Sequence, residues 1–435
     1  MRRLRLRLRF PRRDRSHSTK LHHAHLPPEL ILYTLQKFVP RQPEESPGVR
    51  GNAHRTLYNV ALVCHSWHQV GVELLYGNVV LPESRSLDLF IRTIESSPAL
   101  AGLVKSMSMI DVQEDLVIAN ALDCSDPMSV NAFYVPQTTI SSLNIAFKTC
   151  ENLTFLSVAF SRSVPFYTRG KDIMSGPTWR TSRLRMLSLS GSALEIMLTH
   201  FALPLLEVLC LRDFEFSGNI RFHQLKRLHT LRLYQPFRRG TTRPIDIASF
   251  QTVFPNLRTY ELYKDGPSTP LIDIGIFNGI PKLEHASFVE CPTVRKFELV
   301  KGCDTLRTLR SFTLGVIHGD RDGSLEDSFA TWRLPPSLET LTLLIGVPRG
   351  GAPPVYPLDI VVQLLRHNIQ PHTPFPLRKL KLGIQSTKRN DSPLPSYYLR
   401  TLDTITDLCK SVGIVLEMTQ IDFSYWIAGE MEKTP

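Results

Sequence analysis

The sequence predicts an α/β fold in which a small helical module precedes a long, irregular solenoid of parallel strands. Two observations predict it. Two stretches near the N-terminus have apolar residues at helical spacing, and from about residue 80 onward the pattern Leu-x-x-Leu-x-Leu keeps returning. The composition agrees, because 42% hydrophobic and 21% charged residues in a chain of 435 suit a globular protein with a large core. No apolar run approaches the roughly 18–20 residues of a membrane-spanning helix, so an integral membrane protein is not expected.

Most of the net charge of +11 lies in the first 20 residues. They contain eight Arg and one Lys against Asp14 alone, a charge of +8 that leaves +3 for the rest of the chain. Residues 1–25 are therefore predicted to be a basic, disordered tail. Such a tail fits a mobile terminus, a nuclear-import signal, or a contact with acidic partners or nucleic acid. A secretory signal is not expected, since no apolar region follows the charges.

Seven cysteines are scattered along the chain without a Cys-x-x-Cys pair. An odd number without a secretory signal predicts reduced thiols in a cytoplasmic or nuclear protein. Most of these cysteines are expected to be small, buried hydrophobic residues.

The first helical pattern covers residues 26–39, where Pro27 and Pro28 suit a helix start. Residues 40–53 contain three prolines and two glycines and are predicted to form an exposed loop. A second pattern predicts one helix from Thr56 to about Leu75. Its apolar stripe consists of Leu57, Val60, Ala61, Cys64 and Trp67. Two such helices bury too little surface to be stable alone, so we expect them to pack against the remainder of the chain.

Three blocks in this region together resemble the F-box, the adaptor-binding module of Skp–cullin–F-box ubiquitin ligases. They are LPPEL at 26–30, LVCHSW at 62–67 and LYGNVVL at 75–81. The resemblance implies a module over residues 26–81 that binds a Skp-family adaptor and, through it, a cullin. The adaptor-binding residues that it implies are Leu26, Pro27, Glu29, Leu30, Leu35, Leu62, Val63, Cys64 and Trp67.

Two features depart from the F-box pattern. The loop at 40–53 is longer than the usual gap, which is tolerable because the entropic cost of closing a loop grows slowly with its length. His65 stands where the family prefers Lys or Arg. Trp67 is expected to dominate the adaptor contact, because large aromatic side chains supply much interface energy. Taken without the family, the same stripe also fits the core of an ordinary helical hairpin.

The repeated pattern predicts the remainder, residues 82–430. Its nine copies start 22 to 39 residues apart, with a mean of 28, which is typical of long, degenerate leucine-rich repeats. VKSMSM (104–109) resembles an earlier copy, and IVLEM (414–418) a last strand that follows a helix over 399–411 closed by Gly413. The nine copies are LTFLSV (153–158), LRMLSL (184–189), LEVLCL (206–211), LHTLRL (228–233), LRTYEL (257–262), LEHASF (283–288), LRSFTL (309–314), LETLTL (338–343) and LRKLKL (377–382).

Each copy predicts a short strand whose alternate residues point inward, followed by a segment that returns the chain by one layer. The strands are expected to form one parallel sheet on the concave face. Helices are predicted in the gaps between strands, at 84–97, 138–150, 191–202, 245–253 and 357–368.

The third, fifth and seventh positions of each copy are expected to point away from the core, on the face that such solenoids commonly use for binding. Arg and Tyr at these positions favour recognition of a protein, because both are enriched among interface anchors. The same residues also fit plain exposed strand positions. The target-binding residues predicted on this basis are Arg212, Arg232, Tyr234, Glu261, Tyr263 and His285.

The chain contains none of the common catalytic or nucleotide-binding motifs, so we predict a non-enzymatic protein without cofactor or metal. His22, His23 and His25 form a short tract, but it adjoins the basic tail. His65 and His68 are three residues apart without further ligands nearby.

The main hypothesis is therefore a substrate receptor that holds an unidentified protein target near a ubiquitin-transferring enzyme. The alternative is a leucine-rich-repeat scaffold without a role in ubiquitin transfer, which the long 40–53 loop favours. A nucleic-acid-binding protein driven by the basic tail is less favoured, because the rest of the chain is nearly neutral. An enzymatic β-helix would need clustered acidic residues on the sheet face, which the copies lack.

Overall fold

A computed structural model describes residues 27–37, 55–63, 65–81, 84–112, 142, 145–146, 148–160, 183–190, 203–212, 225–234, 254–263, 280, 282–289, 306–316, 332–345, 357–369, 375–385 and 396–421. Within these ranges twelve strands form one open, parallel sheet whose strand order follows the sequence. The strands are β1 (Asn78–Leu81), β2 (Ser106–Val112), β3 (Phe155–Phe160), β4 (Met186–Ser190), β5 (Val208–Arg212), β6 (Thr230–Tyr234), β7 (Thr259–Tyr263), β8 (His285–Val289), β9 (Ser311–Val316), β10 (Thr340–Ile345), β11 (Lys379–Gln385) and β12 (Val415–Ile421).

This sheet confirms the predicted α/β, solenoid-like architecture with parallel strands. The nine copies of the pattern form β3 to β11, while VKSMSM and IVLEM contribute to β2 and β12. β1 was not predicted as a strand. It lies in the LYGNVVL block and pairs in parallel with β2, so the N-terminal segment joins the sheet directly.

The core lies on one face of the sheet because the second and fourth residues of neighbouring strands are in register. Leu209 pairs with Leu231, and Leu211 pairs with Leu233, and all four side chains are buried. The leucine two residues before each of the strands β3 to β11, such as Leu206, joins the same continuous core. Each fully buried leucine stabilises the fold by roughly 1.5–3 kcal/mol relative to an exposed one.

Aromatic side chains replace leucine in the core between β7 and β10. The rings of Tyr260, Phe288, Phe312 and Trp332 form a continuous series with centroid separations of 5.8, 6.2 and 5.7 Å. All four residues are buried. Tilted and edge-on aromatic pairs of this kind add about 0.5–1.5 kcal/mol each beyond the burial of their area.

Hydrogen bonds also join the turns that lead into the strands. The amide of Glu207 donates to the carbonyl of Arg185 at 2.7 Å, and equivalent backbone bonds recur from turn to turn. Side chains add to this ladder, since Asn256 Nδ2 donates to the carbonyl of Lys226 at 2.7 Å. The turns therefore follow one another along one edge of the sheet in the same order as the strands.

The helices are α1 (Pro28–Gln36), α2 (residues 55–61), α3 (His65–Gly77), α4 (Ser84–Ser96), α5 (Pro98–Leu103), α6 (Pro357–Asn368) and α7 (Ser396–Ser411). The helices predicted at 84–97, 357–368 and 399–411 are confirmed, and Gly413 ends α7 with a φ of 74°. Of the predicted 138–150 helix, residues 142, 145–146 and 148–149 are helical. The helices predicted at 191–202 and 245–253 lie outside the described residues, as does the 40–53 loop.

None of the helices in the described ranges is long and apolar enough to span a bilayer.

The prediction of one helix from Thr56 to Leu75 is wrong, because the chain turns between α2 and α3. The amides of Leu62 and Val63 bond to carbonyls three residues earlier, which tightens and ends α2. The Nδ1 atom of His68 lies 2.9 Å from the carbonyl oxygen of Ala61 and satisfies one of the carbonyls at this helix end.

α1, α2 and α3 share a small core of their own. Ile31, Leu35, Leu57 and Val70 are buried in it, and Trp67 packs against it. α3 also contacts β1 and α5, which attaches this small core to the beginning of the sheet. The close packing of α3 on α2 depends on Gly71, because a Cβ there would lie 2.9 Å from Ala61 Cβ and 3.1 Å from its Cα.

We expect Gly71→Ala to lower the free energy of unfolding by about 1–3 kcal/mol, because the added methyl group meets the backbone of α2. Gly102→Ala is the matched control, since Gly102 also lies in a helix and a Cβ there meets no atom within 4 Å. Denaturant unfolding of both variants measures the difference. Equal stability of the two variants would contradict the close contact.

Candidate protein-binding surfaces

Apolar side chains are exposed on the N-terminal helices. Of the nine large hydrophobic residues exposed in the described ranges, five belong to this region. Because α1 already buries Ile31 and Leu35 in the small core, these exposed residues lie on the remaining helix faces and in the turn between α2 and α3. We refer to them as the N-terminal apolar residues: Leu30, Tyr33, Tyr58, Leu62 and Val63. Exposed apolar groups clustered in one short region are typical of protein interaction sites.

The structure separates the predicted adaptor-binding residues into two groups. Leu30, Leu62 and Val63 are 52%, 66% and 68% exposed, and Pro27 and Glu29 are exposed as well. Leu35 is buried and Trp67 is half-buried against the small core, so both support the helices from inside. Leu26 and Cys64 lie outside the described residues.

Sequence reasoning missed Tyr33 and Tyr58. Tyr33 follows Leu30 by three residues, a helical spacing that places both on the face of α1 opposite Ile31 and Leu35. That spacing was a usable signal for Tyr33. Tyr58 directly follows the buried Leu57, and its exposure depends on how α2 packs on α1 and α3.

The sheet face opposite the core, which we call the polar sheet face, carries the predicted target-binding residues. Register brings five of them together on three adjacent strands. Arg212 of β5 aligns with Tyr234 of β6, which aligns with Tyr263 of β7. Arg232 aligns with Glu261 in the row below. We call these five residues the Arg–Tyr–Glu cluster.

Two kinds of contact hold the Arg–Tyr–Glu cluster together. The rings of Tyr234 and Tyr263 stack with centroids 4.7 Å apart and planes 7° from parallel, and the Arg212 guanidinium lies 4.8 Å from the Tyr234 centroid. Arg232 Nε lies 3.0 Å from Glu261 Oε2, to which the Tyr263 hydroxyl donates at 3.2 Å. Arg232, Tyr234 and Tyr263 are buried, whereas Arg212 and Glu261 are half-buried.

His285 does not join this cluster. It occupies the first position of β8, is exposed, and aligns with Thr259 and Ser311. Although the side chain is exposed, the surrounding protein partly desolvates the ring, and this is the largest effect on its pKa, which it lowers from 6.5. The nearby Glu284 raises the pKa and Arg310 lowers it. The net lowering favours the neutral imidazole at pH 7, which both donates and accepts a hydrogen bond.

Metal-binding residues are not gathered in the described part of the chain. No group of three or more His, Cys, Asp or Glu side chains there is placed to hold a metal ion. The tract of His22, His23 and His25 lies outside the described residues.

Glu261→Leu is expected to lower the free energy of unfolding by about 3–5 kcal/mol, because it leaves the buried Arg232 guanidinium without the Glu261 carboxylate. The double variant Arg232→Met/Glu261→Leu removes both charges and is expected to recover much of that loss. Denaturant unfolding of the two single variants and the double variant gives the coupling energy. Additive losses in the double variant would show that the two side chains are not coupled.

The described cysteines are buried. The side chains of Cys150, Cys210 and Cys409 are all buried, as the sequence predicts for most of the cysteines. Burial raises the pKa of Cys150 and of Cys409 to about 11. Neither thiol is therefore activated as a nucleophile near neutral pH.

In the folded protein at about pH 8, Cys150 and Cys409 are expected to resist alkylation by iodoacetamide, because only about one thiol in a thousand is ionised and both are shielded. Peptide mass spectrometry before and after addition of denaturant measures the protection. Labelling at the same rate in both conditions would contradict their burial.

No protein-family model matches the sequence, and a search of curated proteins gives no match either. What the two surfaces bind is therefore inferred from their own residues.

Proposed function

We propose that this chain is the substrate-receptor subunit of a Skp–cullin–F-box ubiquitin ligase. The N-terminal helices bind the Skp adaptor, and the polar sheet face binds a protein target. The observation that supports the proposal best is the exposure of Leu30, Leu62 and Val63, since these residues come from the blocks that resemble the F-box.

The helices suit a partner that offers an apolar groove. Each exposed residue lies on or next to a helix whose other face is packed, so docking needs little rearrangement of the module. Tyr33 and Tyr58 add large aromatic area to this surface, and tyrosine is common among the side chains that dominate interfaces. In this proposal Leu35 has a structural role, and Trp67 contributes mainly by supporting the helices.

The attachment of the module suits a receptor. α3 packs against β1 and α5, and β1 is itself part of the sheet. An adaptor bound to the helices and a target bound to the sheet are then held on one continuous structure. The receptor catalyses nothing in this proposal. It acts by raising the local concentration of the target near the transferring enzyme.

The Arg–Tyr–Glu cluster suits the target-binding role through its half-buried members. Arg212 and Glu261 remain partly accessible, and the buried Arg232, Tyr234 and Tyr263 fix their positions. A side chain held by its neighbours loses little conformational entropy when it binds. The exposed His285 extends the same face onto β8.

Co-expression with a Skp adaptor followed by pull-down tests the proposal. We expect a complex with the wild-type chain and a loss of about tenfold or more with Leu30→Ala/Leu62→Ser/Val63→Ser, because these side chains form the exposed apolar contact. The matched control is Leu89→Ala/Leu399→Ala, since these leucines are 55% and 50% exposed on other helices. Variants of Leu35 and Trp67 are poor tests, because they disturb the small core.

Failure of the folded wild-type chain to bind any Skp adaptor would overturn the ubiquitin-ligase proposal. Equal binding by the triple variant and the control would overturn the assignment of the surface. In the first case the non-catalytic scaffold becomes the better account of the chain.

A further inference from the structure

Basic side chains gather at one edge of the sheet, although they are widely spaced in the sequence. The described residues among the five that precede each of β2 to β11 lie at this edge, mostly in turns, because the strands are parallel and follow one another in order. These turns carry ten Lys and Arg side chains, and all ten are exposed. We call them the basic edge: Lys105, Arg183, Arg185, Lys226, Arg227, Arg258, Lys282, Arg307, Arg310 and Arg378.

The same turns contain only four carboxylates, Glu151, Glu207, Glu284 and Glu339, which gives the edge a net charge of +6. The chain outside residues 1–20 has a net charge of +3, so everything beyond the tail and this edge has a net charge of −3. The chain after residue 20 is therefore nearly neutral overall, but folding places an excess of positive charge at this edge and leaves an excess of negative charge on the remainder.

The charges form two rows within the edge. Directly before the strands from β7 to β11, arginine and glutamate alternate, and Arg258 Nη1 lies 3.5 Å from Glu284 Oε1. These residues compensate one another. The second row lies three or four residues before the strands, and its charged members are five cations and Glu151. Two of its members are held by asparagines of the preceding turn, since Arg183 donates to Asn152 at 2.5 Å and Lys282 donates to Asn256 at 2.6 Å.

We propose that the basic edge binds an extended acidic segment of a partner protein. From Lys105 to Arg378 the edge crosses nine strand spacings, which is about 43 Å at the usual 4.7–4.9 Å per strand. An extended polypeptide of about 13 residues covers that length. Seven of the ten cations are arginines, whose planar donors match carboxylates in pairs. This inference goes beyond the proposed function and does not depend on adaptor binding.

Other occupants fit the edge less well. The aromatic residues in these turns, Phe254 and Phe375, are buried and half-buried, so the turns offer no exposed platform for stacking the bases of a single-stranded nucleic acid. The carboxylates of Glu207 and Glu284 repel a continuous row of phosphates, whereas a polypeptide can space its own carboxylates between them. The basic tail and the same edge of a second copy are both repelled by like charge.

Fluorescence anisotropy of the full chain with a labelled peptide of this length, in which Glu alternates with Ser, tests the proposal at low ionic strength. The edge variant is Lys226→Gln/Arg227→Gln/Arg307→Gln/Arg310→Gln. The matched control is Arg85→Gln/Arg92→Gln/Arg366→Gln/Arg400→Gln, which removes the same charge from exposed helix positions and keeps the tail. A Gln/Ser peptide and a short DNA duplex are the comparison probes.

We expect the affinity for the Glu/Ser peptide to fall about tenfold in the edge variant and less than about twofold in the control. We also expect the peptide to slow amide exchange in the turns before β6 and β9. Equal losses in the two variants would overturn the proposal, because the tail or general charge would then account for binding. Tighter binding of the duplex, lost in the edge variant, would replace the acidic protein by a nucleic acid. The edge variant is expected to bind the Skp adaptor as the wild-type chain does, so the two proposals fail separately.

Discussion

The register of the parallel strands is the constraint on which the rest of this molecule depends. Each strand is short, and its side chains alternate between the core and the polar sheet face, so a slip of one residue would move leucines such as Leu231 and Leu233 to the opposite face. The buried leucine and aromatic series along the core oppose any such slip. Because the register is held in this way, residues at equivalent positions of successive repeats become neighbours in space.

The candidate binding surfaces on the sheet follow from that register. The Arg–Tyr–Glu cluster exists because residues about 20 to 30 positions apart in sequence occupy aligned rows of β5, β6 and β7. The basic edge exists because the turns before the strands are stacked in the same order. Both surfaces are built on the repeats themselves and not on an additional structural element. The Arg–Tyr–Glu cluster occupies two rows of equivalent strand positions, and the basic edge occupies the residues that precede the strands.

Much of the fold could be predicted from the sequence because its signal is local. Leu-x-x-Leu-x-Leu identifies a strand by itself, so β3 to β11 were found. β1 was missed because Asn78–Leu81 is only four residues long and follows a helix without a turn signal. The division between α2 and α3 was missed because the apolar spacing continues across it, while the hydrogen bonds that end α2 leave no such pattern. His285 lies outside the cluster because it is the first residue of β8, whereas the cluster occupies the third and fifth strand positions. The residue type alone does not indicate this position. The basic edge was missed because its cations never form a run in the sequence.

Because neighbouring strands of the sheet are also neighbours in the sequence, a local loss of structure is expected to affect mainly the adjacent repeats. In the part of the chain that the structure describes, each strand of the sheet pairs only with the strand before it and the strand after it. The stability of such an array is close to the sum of its units and of the interfaces between neighbours. Folding is therefore able to begin at a strongly packed unit, for which the aromatic series of β7 to β10 is the best candidate, and to extend in both directions. A weakened repeat near β3 would then open the N-terminal helices and first strands while the later strands remain paired. In that case the Arg–Tyr–Glu cluster would keep its fold after the N-terminal helices had separated from the sheet.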